Sequence, residues 1–296
     1  MPKAALLTSA LCLTYNTSTT TDLASARSFL FAPASDERKL ARALVSGADA
    51  VIADLEDAVI PAEKPAARDR ARQLLADAEG VARVVRVNGA DSPWFEDDIA
   101  MTAQLRPDAV VLPKASVASA KLLEPQGIPA IAIVETAIAV RSAYEIACLP
   151  NVTALLVGAL DLGTELGLEA RADGLELHYT RSRLVVESAA AGIRPPIDAV
   201  NVNTRDLAAV EADARLARSL GLRGKACIHP AQVPVVNEVF TPSEEEVAWA
   251  RKVLASAKAA ESEARGAVSL DGLMVDAPVI ARAKRILQES ERRPPE

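Results

Sequence analysis

Short apolar runs alternate with longer amphipathic stretches along most of this chain. The runs are Ser28-Phe-Leu-Phe-Ala-Pro33, Asp49-Ala-Val-Ile-Ala-Asp54, Val81 to Val87, Asp108-Ala-Val-Val-Leu-Pro-Lys114, Pro129 to Glu135, Ala154 to Gly158, Pro196-Ile-Asp-Ala-Val200 and Gly224-Lys-Ala-Cys-Ile-His229. Most are continuous rather than alternating, as strands covered on both faces are. Helical stretches separate them. One opens at Ser35 as N-cap and stops at Gly47; one is led by Pro61; others cover about Trp94 to Leu105, Leu175 to Ala191, Asp206 to Leu220 and Gln232 to Val239. Eight β-then-α units predict an α/β fold, a (β/α)8 TIM barrel. The rival is an open doubly wound sheet, but no Gly-x-Gly-x-x-Gly loop supports it.

The pattern changes after residue 240. Thr241-Pro-Ser-Glu-Glu-Glu-Val carries a capping box, Ser243 with Glu246 three residues on, and the helix it opens reaches about Glu263. Asp271 to Pro278 reads as turn-rich, and a last helix covers Pro278 to Leu287. This predicts a leader over 1–26, a catalytic barrel over 27–240 and a C-terminal helical extension over 241–296. The extension would cover the barrel's own mouth or reach a neighbouring subunit. The leader is rich in Thr, Ser and Ala; Cys12 and polar residues interrupt it too often for a good secretory signal.

Half of the 296 residues are hydrophobic and 3% are aromatic, so the core is expected to be built of Ala, Val, Leu and Ile. A net charge of −7 argues against a nucleic-acid groove and an anionic membrane surface. No apolar run is long enough to span a bilayer. Cys12, Cys148 and Cys227 show no pair or metal spacing, which suits reduced thiols in a cytoplasmic protein.

In such a barrel the chemistry lies where the strands end. Glu135 and Asp161 each close an apolar run and are separated by about one βαβ unit, which sets them side by side at one end of adjacent strands, roughly 4.8 Å apart. They are ordinary loop acids or a pair of hard ligands for one Mg²⁺. Asp54, Glu56 and Asp57 follow the second run, Arg86 and Asn88 the third, and Lys114 the fourth. Asp198 sits in the seventh and His229 ends the eighth. Arg86 is a rim ion-pair partner of Asp54 or Glu56, or a substrate ligand. His229 before Pro230 suits a helix cap. So many carboxylates on one mouth repel each other unless a cation or Arg sits among them.

These segments resemble the family of the citrate lyase beta subunit, which includes malyl-CoA and citramalyl-CoA lyases and the HpcH/HpaI aldolases of the same fold. The resemblance lies in Arg27-Ser-Phe-Leu-Phe-Ala-Pro33, Asp54-Leu-Glu-Asp-Ala-Val59, Lys64, Ala67-Arg68, Arg86-Val-Asn88 and Leu112-Pro-Lys114. It continues through Val134-Glu-Thr136, Gly158-Ala-Leu-Asp161, Gly224-Lys-Ala-Cys-Ile-His-Pro-Ala-Gln232, Phe240-Thr-Pro-Ser243 and Asp271-Gly-Leu-Met-Val-Asp276. The extension suits the long CoA-lyase branch. Ala34 departs from the glycine common in lyases, and its Cβ would crowd an approach to CoA phosphates.

The resemblance implies Mg²⁺, with Mn²⁺ as substitute, held by Glu135 and Asp161. It implies Arg86 at the oxygen where enolate charge develops and Asp276 as an acid/base delivered across the interface of a homotrimer or hexamer. Glu56 and Asp57 lie close enough to position a water of the cation. Asp54 is a further substrate-binding candidate, and Lys39, Lys64 and Arg68 are candidates for CoA phosphates. The implied reaction cleaves or forms a 3-hydroxyacyl-CoA such as malyl-, citramalyl- or citryl-CoA, giving acetyl-CoA and a 2-oxo acid. The alternatives are a CoA-independent pyruvate aldolase and a citrate lyase beta subunit acting on an acyl-carrier-protein thioester.

Overall fold

The computed structural model describes residues 23–171, 173–262, 268–270 and 273–291. Seven parallel strands form one curled sheet: β1 (Ser28–Pro33), β2 (Ala50–Asp54), β3 (Ala82–Arg86), β4 (Ala109–Leu112), β5 (Ala130–Val134), β6 (Val152–Val157) and β7 (Lys225–Cys227). The order is β6-β5-β4-β3-β2-β1-β7, so each of the first six strands pairs with its sequence neighbour and β7 lies beside β1. Parallel pairing throughout follows from a helix-bearing crossover after each strand.

The helices are α1 (Glu37–Leu44), α2 (Lys64–Ala76), α3 (Phe95–Leu105), α4 (Val117–Lys121), α5 (Ala137–Arg141), α6 (Ala143–Ala147), α7 (Ala159–Leu166), α8 (His178–Ala191), α9 (Leu207–Leu220) and α10 (Gln232–Phe240). Two apolar layers result from the period-two alternation of each strand. Phe29, Ile52, Val84, Val111, Ile133 and Leu156 face the curl's interior in one cluster. Leu30, Val51, Val85, Val110, Ala132 and Leu155 face the helices in another.

The run expected as a strand at Pro196 to Val200 is reduced to two parallel bridges, Leu156 with Ile197 and Asp198 with Lys225. Its backbone bonds reach both sides: Ile197 donates to Leu155 at 2.9 Å and Ala226 donates to Asp198 at 2.9 Å. Pro195 and Pro196 immediately before it have no N–H for a longer ladder. Charge holds this seam instead. The Asp198 carboxylate is fully buried and accepts from Arg181 at 2.8 and 3.0 Å and from Lys225 at 2.6 Å. Asp213 takes a second bond from each cation, 2.6 Å from Arg181 and 2.7 Å from Lys225. Two cations thus meet two anions, and neither sign is buried alone. Asp198 is therefore seam rather than mouth.

The extension begins on the side where the strands start. Arg27, just before β1, donates to Thr241 at 2.7 Å. α11 (Glu244–Ser262) opens with the expected capping box, Ser243 N–H to Glu246 at 2.9 Å and Glu246 N–H to Ser243 Oγ at 3.1 Å. The stretch expected to be turn-rich forms an antiparallel hairpin, β8 (Val268–Leu270) with β9 (Leu273–Val275); Asp271 lies outside the described residues. α12 (Ala277–Glu291) folds back on α11 around Val253, Val275, Ala283 and Ile286. The far end of this pair returns to the strand-start side, where Arg223 binds Glu289 at 3.1 Å.

Two sequence expectations shift at element ends. Asp36, not Ser35, caps α1, accepting from the Lys39 N–H at 3.1 Å, while the Ser35 hydroxyl donates to Ala58 at 3.2 Å. Residues 23–26, expected as the end of the leader, pack on the sheet: Ala26 is buried, and Arg194 donates to the carbonyls of Leu23 and Ala26. Among the described residues no helix is long and apolar enough to cross a membrane.

Candidate active site

The strand ends bring two groups of charged side chains together. Arg86 ends β3 beside Asp54, which ends β2, because the two are register partners. Its Nε and Nη2 each lie 2.6 Å from one Asp54 oxygen. Nη1 reaches Glu56 at 2.8 Å and Asp57 at 3.2 Å, and the guanidinium stacks 5.1 Å from the Phe31 ring. Burial works against this charge, but Asp54, Glu56 and Asp57 outweigh it and hold the guanidinium above its ordinary pKa. The chain after β2 is fixed by Asp54 as well, whose oxygens accept from the N–H groups of Glu56 at 2.9 Å and Ala58 at 3.3 Å.

Glu135 follows β5 and is buried; Asp161 lies in the first turn of α7 and is exposed. Burial pushes the Glu135 carboxyl up to about 7; the Lys114 amide opposes this, while the Asp161 carboxyl, within hydrogen-bonding reach, and Glu56 add to it. Lys114 N–H donates to Glu135 Oε1 at 2.5 Å from a left-handed backbone, φ 45°. Burial likewise raises Glu56 to about 7, against the pull of Arg86 and with the push of Asp57 and Asp54. The two groups are therefore one electrostatic unit joined through Glu56, and its anionic half at Glu135 and Asp161 asks for a positive partner. Among the described residues no three His, Cys, Asp or Glu side chains form a metal cage. Two carboxylate oxygens, with the rest of the shell left to water and substrate, are a donor set that suits a hard cation.

Other candidates are placed elsewhere. The Lys64 ammonium is buried and donates to the carbonyls of Leu55 and Glu56 at 2.7 and 2.8 Å and to Asn88 at 2.5 Å. All three of its N–H bonds are used, so it braces the loop carrying Glu56 rather than offering a donor to phosphate. Arg68 pairs with Asp98 at 3.1 Å and Asp97 at 2.9 Å on α3, and Asp98 in turn accepts from Asn88. Both candidates for CoA phosphates thus have protein partners in this structure. Lys39 remains exposed. It lines an open cavity of about 680 Å³ at the end of β1, with Pro33, Ser35, Asp36, Arg38 and Arg70. Arg38 and Arg70 are not among the sequence candidates; the one signal for the first is its place beside Lys39 in the first turn of α1. Ala34 is fully buried beside this cavity and its N–H donates to Asp54.

His229 is a cap, its Nδ1 accepting from the Ala231 N–H at 3.1 Å. Asp276 is exposed and caps α12, its Oδ1 accepting from the Val279 N–H at 3.2 Å.

A curled parallel sheet of seven strands with charged side chains gathered at the strand ends is a TIM-like arrangement, in which chemistry belongs to that face. Residues 27–230 match the HpcH/HpaI aldolase/citrate lyase family, and the chain belongs to that family. It is 39% identical over 275 residues to the citrate lyase subunit beta-like protein of Deinococcus radiodurans, covering 88% of this chain and 96% of that one. It is 37% identical over 272 residues to a (3S)-malyl-CoA thioesterase of Cereibacter sphaeroides, covering 90% and 94%. Among solved structures, CitE of Mycobacterium tuberculosis in complex with magnesium, acetoacetate and coenzyme A superposes with a TM-score of 0.77 at 38% identity, covering 91% of this chain and all of that one. The protein is an enzyme of a lyase family.

Proposed function

We propose that the protein is a Mg²⁺-dependent carbon–carbon lyase of 3-hydroxyacyl-CoA thioesters, with malyl-CoA as the first substrate to try. The observation that carries this is the gathering of the Glu135 and Asp161 carboxyls at the strand ends, close enough to raise the Glu135 carboxyl, together with an Arg86 that three further carboxylates hold. The magnesium, acetoacetate and coenzyme A bound to CitE supply the ligand classes, and the name of the Cereibacter relative supplies the malyl group.

Glu135 and Asp161 would hold Mg²⁺, which when bound supplies a Lewis acid and a template for the carboxylate and hydroxyl of the acyl half. The chain's own residues carry the rest. Glu56 takes the hydroxyl proton; a carboxyl raised to about 7 is matched to that work at neutral pH. The new carbonyl forms as the C–C bond breaks, and its electron pair goes to the thioester enolate. Arg86 steadies the enolate oxygen, with Asp54 fixing its plane and Asp57 its outer edge. Asp276 then gives a proton to the enolate carbon, completing acetyl-CoA and a 2-oxo acid.

The extension supports delivery of Asp276 from a neighbouring subunit of a homotrimer or hexamer. Its α12 is tied by Glu289 to the strand-start side, and Asp276 lies about 20 Å along the helix from that tie. The cavity of Lys39, Arg38 and Arg70 is the reading for the CoA phosphates. With the segment at Ile197 and Asp198 counted as a strand, the catalytic unit over 27–240 is a complete (β/α)8 barrel.

The name of the Cereibacter relative favours a second reading, hydrolysis of the thioester. Product analysis on malyl-CoA separates the two. A lyase releases glyoxylate and leaves the thiol acylated; a thioesterase releases free thiol and malate and no glyoxylate.

A further inference from the structure

Glu135 sits at the crowded end of two converging strands. Val134 and Val157 are register partners, and the Gly158 N–H donates to the Val134 carbonyl at 3.0 Å, so Glu135 and Gly158 lie side by side. A Cβ on Gly158 would fall 2.2 Å from the Glu135 Cβ, 2.8 Å from its Oε2 and 2.8 Å from Ile133 Cγ2. Real Cβ atoms do not approach that closely; the Glu135 oxygen could swing aside, but the Glu135 Cβ is set by its backbone next to β5 and the Ile133 methyl is on a buried strand side chain. The backbone at Gly158 is ordinary, φ −97°. The glycine is therefore needed for space and not for a left-handed turn.

On the other side, Lys114 adopts a conformation that residues with a Cβ seldom take, φ 45°. Its side chain is exposed, yet its N–H is turned onto Glu135 Oε1. Local strain whose visible result is a hydrogen bond to one carboxylate oxygen points to a role at that carboxylate.

We propose that Gly158 and Lys114 are positioning residues for Glu135, the first by the space its missing side chain leaves and the second by the amide its backbone aims. One oxygen is fixed by the amide. The other lies over the glycine, on the strand that leads into α7 and Asp161. This rests on the metal reading of Glu135 and Asp161.

The test is calorimetric titration of the purified chain with Mg²⁺, with thermal melting of each variant alongside. Gly158→Ala is expected to weaken Mg²⁺ affinity at least about tenfold, the lower range for residues that orient a metal ligand. Gly163→Ala, on α7 with nothing within 4 Å of its added Cβ, is the control and is expected to bind as wild type does. Lys114→Gly, which tolerates the left-handed backbone, is expected to bind more tightly than Lys114→Val, which does not. Wild-type affinity in Gly158→Ala overturns the role of the glycine. If that variant does not fold, equal affinities in the two Lys114 variants overturn the proposal. If wild type binds Mg²⁺ and Glu135→Gln does not, the metal reading stands whatever the positioning variants do. If wild type does not bind it, both fall.

Discussion

Asp54 grips Arg86 through two contacts of 2.6 Å, so the plane of the guanidinium is set by the strand that ends beside it. A lysine at that place supplies a point charge without the fork. Arg86→Lys is expected to fold and to lose about 100-fold or more in kcat, the scale of losing one oxyanion donor. Steady-state kinetics check this. Asp54→Asn is expected to behave similarly, because the arginine would lose its orientation although its charge remains.

Glu135 follows β5 and Asp161 lies in the first turn of α7, near enough that the Asp161 charge helps push the Glu135 carboxyl up. Glu135→Gln and Asp161→Asn are each expected to abolish measurable Mg²⁺ binding while leaving the melting temperature of the metal-free protein unchanged or higher, since removing one carboxylate relieves repulsion. Calorimetry and melting curves decide this. Retained affinity in both variants is incompatible with the paired-ligand reading.

Asp276 is exposed and caps α12 through the Val279 N–H. Asp276→Asn keeps a good helix cap, so folding and Mg²⁺ binding are expected to persist while turnover is lost. Mixing Asp276→Asn with Arg86→Lys subunits tests delivery between chains: mixed oligomers are expected to recover part of the activity that neither variant has alone.

Lys225 is buried between Asp198 and Asp213 with both contacts under 3 Å. Lys225→Met would leave the quartet with an uncompensated negative charge. Breaking one partner from a buried ionic group costs about 3–5 kcal/mol, and urea unfolding is expected to show a loss of that order.

Much of this architecture is legible in the sequence because parallel strands covered on both faces read as plain apolar runs. β2, with all five residues buried, is an example. The ends of β2, β3 and β5 are legible too: Asp54, Arg86 and Glu135 stand at or just after the last strand residue. The seventh strand is less so, since Pro195, Pro196 and Asp198 leave two bridges and a charge cluster in place of a ladder. The protein partners of Lys64 and Arg68 are not legible, because basic residues early in a helix look the same whether they meet a ligand or bond, as these do, to Asn88 and Asp98 from the next unit. The demand on Gly158 is hidden too. It comes from Glu135 on the neighbouring strand, and nothing within the glycine's own segment announces it.

The most direct test mixes the purified protein with Mg²⁺ and malyl-, citramalyl- or citryl-CoA and follows 2-oxo acid release with and without EDTA. The account predicts release from at least one thioester, abolished by EDTA and restored by excess Mg²⁺. Release that EDTA does not touch, or no release from any of the three, would contradict it.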